Sequence, residues 1–223
     1  MARVTQYDVD VERVRANVAQ ARQRIDEAAA IAGRGPGEVE LLAAVKYVPL
    51  ESIGLLADAG LTLLGENRAQ ELEAKAAAHP GRFTWDFIGH LQSRKVKQIV
   101  PWVRLIHSLS SDSALEQLRR HAGGRPDLEA LVEVNVAGEA SKSGIAPSEL
   151  GAFLERCPIA VTGLMTMPPL AAAAEDNRRH FAALRELAAA HGLRRLSMGT
   201  SQDYEVAVEE GATIVRLGST LYE

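Results

Sequence analysis

Residues 193–220 read Leu193-Arg194-Arg195-Leu196-Ser197-Met198-Gly199-Thr200-Ser201, then Gln202-Asp203-Tyr204-Glu205-Val206-Ala207-Val208-Glu209-Glu210, and then Gly211-Ala212-Thr213-Ile214-Val215-Arg216-Leu217-Gly218-Ser219-Thr220. An apolar run, a turn of small residues, a helix-like stretch and a second apolar run follow one another, which is one β/α unit feeding the next strand. The same alternation extends back along the chain. Strand-like runs fall at residues 39–45, 61–65, 84–89, 103–109, 130–136, 159–165, 193–198 and 213–217. Helix-like stretches lie between them at 50–59, 67–78, 91–100, 113–121, 147–156, 176–191 and 202–210. Ser113 before Ala114-Leu115-Glu116 has capping-box spacing, Pro147 stands near the start of its helix, and Phe181, Leu184 and Leu187 recur at helical steps. Eight strands alternating with seven helices exceed the usual open doubly wound sheet and predict a closed (β/α)8 TIM barrel of class α/β.

Ahead of the first strand, Val11, Val14, Val18, Ala21, Ile25, Ala28 and Ala32 recur in steps of three and four. They predict an extra N-terminal amphipathic helix, ended by Gly33-Arg34-Gly35-Pro36-Gly37. The last strand ends at Leu217 and the sequence at Glu223, so no eighth helix is expected after it. The N-terminal helix is expected to take that place on the outside. With no Ser/Gly linker, repeat or composition break, residues 1–223 read as a single domain.

Of the 223 residues, 47% are apolar and 24% charged, enough for a large core and a wetted surface, which excludes disorder and coiled coil. Aromatic residues at 4% and a net charge of −4 argue against a nucleic-acid partner, which would call for stacking platforms and a basic face. The single Cys157 excludes an internal disulfide and a Cys-rich zinc site, and beside Leu154 and Pro158 it reads as packing. The N-terminus lacks an apolar signal core, and no apolar run approaches the roughly 18 residues of a membrane span. A soluble cytoplasmic protein is expected.

In such a barrel, chemistry sits where strands end and βα loops begin. Lys46 ends the run Leu41-Leu42-Ala43-Ala44-Val45. Its ammonium either reaches out to the rim or is desolvated, and desolvation favours the neutral amine that attacks an aldehyde. Strand alternation groups Ile214, Arg216 and Gly218, so Arg216 is expected in the barrel mouth. Gly218-Ser219-Thr220 and Ser197-Met198-Gly199-Thr200-Ser201 offer N–H groups and hydroxyls to an anion after the last two strands, where barrels often hold phosphate. Asn67 sits at the same rim, placed either to bond a ligand or to cap the next helix. His90 and His107 end the third and fourth strands and read equally as ligand contacts or as structural residues. No HExxH or comparable spacing suggests a metal, and no GxxxxGK[ST] or strand-linked GxGxxG a nucleotide. Arg94-Lys95-Val96-Lys97 reads as a solvated face.

In order, the chain carries Ala44-Val45-Lys46, Gly65-Glu66-Asn67, Phe87-Ile88-Gly89-His90-Leu91-Gln92-Ser93, and Val134-Asn135-Val136 with Glu139 and Ser141-Lys142-Ser143-Gly144. Gly163-Leu164-Met165, Ser197-Met198-Gly199-Thr200-Ser201 and Arg216-Leu217-Gly218 complete the series. Over about residues 10–222 this resembles the pyridoxal phosphate homeostasis protein family. The resemblance implies a barrel of the alanine racemase N-terminal-domain type holding pyridoxal 5′-phosphate as a Schiff base on Lys46. It further implies Asn67 and Met165 at the cofactor, Arg216 near the pyridine nitrogen, and phosphate held by Ser197, Met198, Gly199, Thr200 and Ser201 with Gly218 and Ser219. Members are thought to buffer the cofactor or deliver it to apo-enzymes that require it. The chain departs from the family at Val45, at Tyr47-Val48-Pro49, at Asp86 where a His is common, at Thr200, and at Tyr222-Glu223.

An arginine opposite the ring nitrogen stays cationic and donates hydrogen bonds, which keeps that nitrogen unprotonated and weakens the ring as an electron sink. Carbanion chemistry also needs a second acid or base, which the racemase draws from a further domain and a partner subunit. A monomeric carrier is therefore expected. The alternatives are a slow pyridoxal-phosphate racemase or amino-acid lyase, and a barrel binding some other phosphorylated metabolite.

Overall fold

Eight strands form where the apolar runs fall: β1 (Glu40–Ala44), β2 (Leu63–Glu66), β3 (Thr84–Phe87), β4 (Leu105–Leu109), β5 (Glu129–Glu133), β6 (Ala160–Met165), β7 (Arg195–Thr200) and β8 (Ile214–Leu217). In the computed structural model, which describes residues 6–138, 143–169 and 172–223, each strand lies parallel to the next and β8 closes on β1. This is the expected (β/α)8 barrel. Alternation sorts the side chains. Leu42, Leu105, Leu131, Met165 and Ile214 fill the barrel interior, while Leu41, Ala43, Val132, Leu164 and Val215 join the layer between barrel and helices. Both faces are covered, so the strands are apolar in runs rather than alternately polar. Each buried Leu or Ile contributes about 1.5–3 kcal/mol.

The N-terminal helix α1 (Val11–Ile31) starts on Asp10, whose carboxylate accepts the Arg13 N–H at 2.9 Å. Its stripe of Val14, Val18, Ala21 and Ile25 is buried. Between the strands run α2 (Ile53–Asp58), α3 (Ala69–Ala78), α4 (Val96–Ile99), α5 (Asp112–His121), α6 (Leu150–Glu155), α7 (Arg178–Ala190) and α8 (Tyr204–Glu209). α1 packs against α8 and α2 and so occupies the expected outer position.

Two expectations need correction. β8 is followed by one helical turn, α9 (Ser219–Tyr222). The turn buries Leu221 and Tyr222 against α1, where the Asn17 amide donates to the Leu221 and Glu223 carbonyls. The cap of α5 is Ser111, which has extended backbone angles and accepts the Ala114 N–H at 3.3 Å. Ser113 lies inside the first turn, so its capping-box spacing is incidental.

Opposite the mouth, the N-terminal strand ends are knitted by charge. Arg104 pairs with Glu40 and Asp86, and Arg195 with Glu40 and Glu129. Among the described residues no helix is long and apolar enough to cross a membrane.

Candidate functional site

Beyond the ends of β1, β2, β7 and β8 a cavity of about 290 Å³ opens in the mouth. Lys46, Asn67 and Arg216 line it, with Thr200 and Ser201 on one wall and Gly218 and Ser219 on the next. Leu42 points into the barrel, Ala44 faces the cavity, and two residues further on comes Lys46. The lysine is exposed, because the turn at residues 46–47 lifts it past the last ladder pair and the buried layer. The desolvated ammonium considered from sequence is thus not found, and the rim-reaching position is. Among the described residues its contact is the Tyr47 ring, with Nζ 4.6 Å from the centroid. Tyr7 stands edge-on to Tyr47, its N–H donates to the Tyr47 carbonyl at 2.8 Å, and it too lines the cavity.

Arg216 forms the floor and is only 6% exposed. Nη1 donates to the Ser197 carbonyl at 2.8 Å and to the Ser197 hydroxyl, and Nη2 to the Thr166 carbonyl at 3.0 Å and to Met167 Sδ at 2.8 Å. Burial pulls its pKa down to about 10, against the carboxylates of Asp203 and Glu133, so it is cationic at neutral pH. Asn67 does not cap α3, which starts behind Arg68. Its carboxamide oxygen is buried and has no hydrogen-bond partner. The Ser201 hydroxyl accepts from the N–H groups of Gly218 and Thr220 at 3.2 and 3.3 Å, so these two donors converge on one point of the wall.

The remaining residues of the string 197–201 sit below the mouth. Ser197 is fully buried under Arg216, Met198 packs in the layer outside the barrel, and Gly199 lies against Tyr204 and Ala207 of α8. Met165 lines a neighbouring cavity of about 290 Å³ together with Asn67, His90, Ser143 and the buried Glu133, which is 4% exposed. His107 is inside the barrel, bonded to Ser197 and Asp86. Arg94 and Lys97 are exposed around a buried Val96. Cys157 is half-buried, its thiol 3.4 Å from the Phe153 carbonyl, and burial pushes its pKa up to about 11. Glu139, Ser141 and Lys142 lie outside the described residues.

Sequence reasoning passed over the residues behind the wall. Glu66 and Lys75 are an ion pair at 2.7 Å with 0% and 1% exposure. Lys75 Nζ also donates to the carbonyl of Val45, the residue before Lys46, at 2.8 Å. The second oxygen of Glu66 accepts the N–H groups of Asn67 and Arg68 at 2.6 and 3.2 Å. One buried pair thus fixes the backbone beside both Lys46 and Asn67. Its sequence signal is a lysine between Leu72 and Ala76 on the buried stripe of α3, where only a paired charge is tolerated.

Residues 9–223 match the family model described as alanine racemase, N-terminal domain. The pyridoxal phosphate homeostasis protein of Aquifex aeolicus is 42% identical over 212 residues, covering 90% of this chain and 93% of that one. That of Pseudomonas aeruginosa is 40% identical over 216 residues, covering 92% and 93%. Among solved structures, PipY of Synechococcus elongatus with PLP bound superposes with a TM-score of 0.79 at 31% identity, covering 94% of this chain and 100% of PipY. With its closed barrel and this mouth, the chain belongs to the pyridoxal phosphate homeostasis protein family, within the alanine racemase N-terminal-domain fold.

Proposed function

We propose that this protein binds pyridoxal 5′-phosphate in the mouth cavity and serves intracellular vitamin B6 homeostasis, buffering the cofactor or delivering it to apo-enzymes. The observation that carries the reading is the convergence of Lys46, Arg216 and the Ser201–Gly218 wall on one cavity. Bound pyridoxal phosphate supplies an aldehyde that primary amines capture reversibly, a ring nitrogen, a phenolic oxygen and a phosphate. The residues fit each of these. Lys46 offers a primary amine held by no carboxylate among the described residues, in reach of the cavity. Asn67 lines the cavity and carries an unpartnered buried oxygen able to accept a ligand's hydrogen. The N–H donors of Gly218 and Thr220 converge on the Ser201 hydroxyl, a place that a phosphate oxygen suits once that hydroxyl turns to donate to it. Arg216 presents a cation that only donates, so it suits an unprotonated ring nitrogen and a holding role.

The absorption spectrum of the protein supplied with pyridoxal phosphate should gain a band that borohydride removes. Peptide mapping should then place the label on Lys46, and Lys46→Ala should lose both band and label. A label on another lysine, or one retained in Lys46→Ala, sinks the reading.

A slow amino-acid racemase or lyase is the second reading. It is favoured by the buried Glu133 carboxylate in the adjoining cavity, which offers a proton-accepting group besides Lys46. For a carrier, α-proton exchange of amino acids in deuterated water should stay near the rate of free pyridoxal phosphate. Exchange at a racemase-like rate, lost in Glu133→Gln, selects the enzyme.

A further inference from the structure

Arg216, Ser197, His107 and Asp86 stand on β8, β7, β4 and β3, on opposite walls of the barrel, and their side chains meet inside it. Arg216 Nη1 donates to the Ser197 hydroxyl. That hydroxyl lies 2.8 Å from His107 Nδ1, and His107 Nε2 lies 3.1 Å from Asp86 Oδ2. Arg104 Nε donates to Asp86 Oδ1 at 2.9 Å. Arg104 is in turn held by Glu40 at the barrel floor.

The directions follow from what each group can do. A guanidinium only donates, so Ser197 Oγ accepts from Arg216; the Asp86 carboxylate only accepts, so a neutral His107 ring gives it the Nε2–H and takes the Ser197 hydroxyl proton at Nδ1. Nδ1 is then bare and the ring proton sits on Nε2, aimed at the Asp86 carboxylate. From Arg216 to Asp86 each donor points away from the mouth, and Arg104 donates to the same carboxylate from the opposite side. Burial lowers the His107 pKa, against the raising effect of Asp86, which agrees with a neutral ring. Burial raises the Asp86 pKa, but the hydrogen bonds from His107 and Arg104 and the charge of Arg104 outweigh it and hold the carboxyl below its ordinary value. Four fully buried or nearly buried polar groups thus sit in an otherwise apolar interior with their bonds satisfied, an arrangement that specifies one geometry. Asp86 occupies the place where the family string commonly has a histidine.

We propose that His107 and Asp86 are positioning residues for Arg216. They orient the Ser197 hydroxyl as an acceptor, which fixes the guanidinium at the cavity floor with Nη1 and the Thr166-bound side of Nη2 committed, so that the Nη2 hydrogen now on the exposed Met167 sulfur, or the Nε hydrogen, is the donor left for the nitrogen of a bound pyridine ring. The proposal rests on the pyridoxal phosphate reading of the cavity.

The test uses full-length protein labelled with 15N-histidine and pyridoxal phosphate labelled at the ring nitrogen. Before cofactor is added, His107 should show the Nε2–H tautomer, and Ser197→Ala, which removes one hydroxyl and leaves the ring in place, should shift its Nδ1 resonance. With cofactor, the wild-type ring nitrogen should remain unprotonated from about pH 6 to about pH 9. In His107→Phe, and in the gentler Ser197→Ala, the nitrogen should take up a proton in the lower half of that range. The Kd should rise about tenfold, the loss of one hydrogen bond to a charged group. An Nδ1–H tautomer in the wild type overturns the proposal, as do unchanged ring titration and affinity in Ser197→Ala. A wild type that takes up no cofactor overturns the pyridoxal phosphate reading and the proposal's ligand with it. The tautomer and its response to Ser197→Ala then still report on the hydrogen-bonded file alone, so the two failures are told apart.

Discussion

Lys75→Met should lower the unfolding free energy by about 3–5 kcal/mol, because it leaves the Glu66 carboxylate buried without its countercharge. In a denaturant titration the midpoint should fall with little change in slope. Glu66 is fully buried and its other oxygen holds the Asn67 and Arg68 N–H groups, so the carboxylate cannot turn to water without releasing the β2 loop. The Val45 carbonyl loses its donor in the same stroke. Glu66→Gln combined with Lys75→Met should recover part of the loss, since no uncompensated charge remains and an amide oxygen still accepts from Asn67. A single variant within about 1 kcal/mol of wild type would show that the pair is not sealed from solvent, since exposed pairs contribute about that little.

Gly89→Ala should be at least as severe. A methyl at residue 89 would stand 2.0 Å from the Asn67 carbonyl oxygen and 2.7 Å from the Asn67 carbonyl carbon and Cα. Backbone rather than a yielding side chain meets it, so the loops after β2 and β3 must part. A loss of about 3 kcal/mol or more, or failure to accumulate as folded protein, is expected. Any folded fraction should bind pyridoxal phosphate poorly, because Asn67 moves with its backbone. Gly123→Ala, where nothing stands within 4 Å of the added methyl and the backbone is not left-handed, is the matching control and should melt like wild type. Normal stability and cofactor uptake in Gly89→Ala would refute the close approach of the two loops.

What the sequence made legible, and what it did not, divides by range. The strands were readable because a barrel strand is covered on both faces and therefore apolar in an unbroken run, as in β4. Lys46 was readable as the charge that ends an apolar run, and Arg216 because a period of two along the last strand names the side chains that reach the mouth. Exposure of Lys46 was not, since it depends on what stands over the turn rather than on the turn itself. The α5 cap was misplaced because Ser111 and Ser113 both fit a short template, and only backbone angles decide between them. Asn67 was left between two roles that differ by the start of α3 at Ala69. His107, Asp86 and Ser197 are 21 and 90 positions apart where they bond, and no local pattern reports such a meeting. The family resemblance flagged Asp86 as a departure, and the closed barrel supplies its partners.

α1 is made early and docks on segments made late. Asn17 bonds across 204 positions to Leu221, and β1 is without its neighbour β8 until residues 214–217 exist. During synthesis the stripe of Val14, Val18, Ala21 and Ile25, with α2 as its early neighbour, therefore waits for α8 and α9 to leave the ribosome. Such long-range closure slows folding and leaves nascent chains sticky, so production of this molecule should reward slower translation, cooler growth or a holding chaperone.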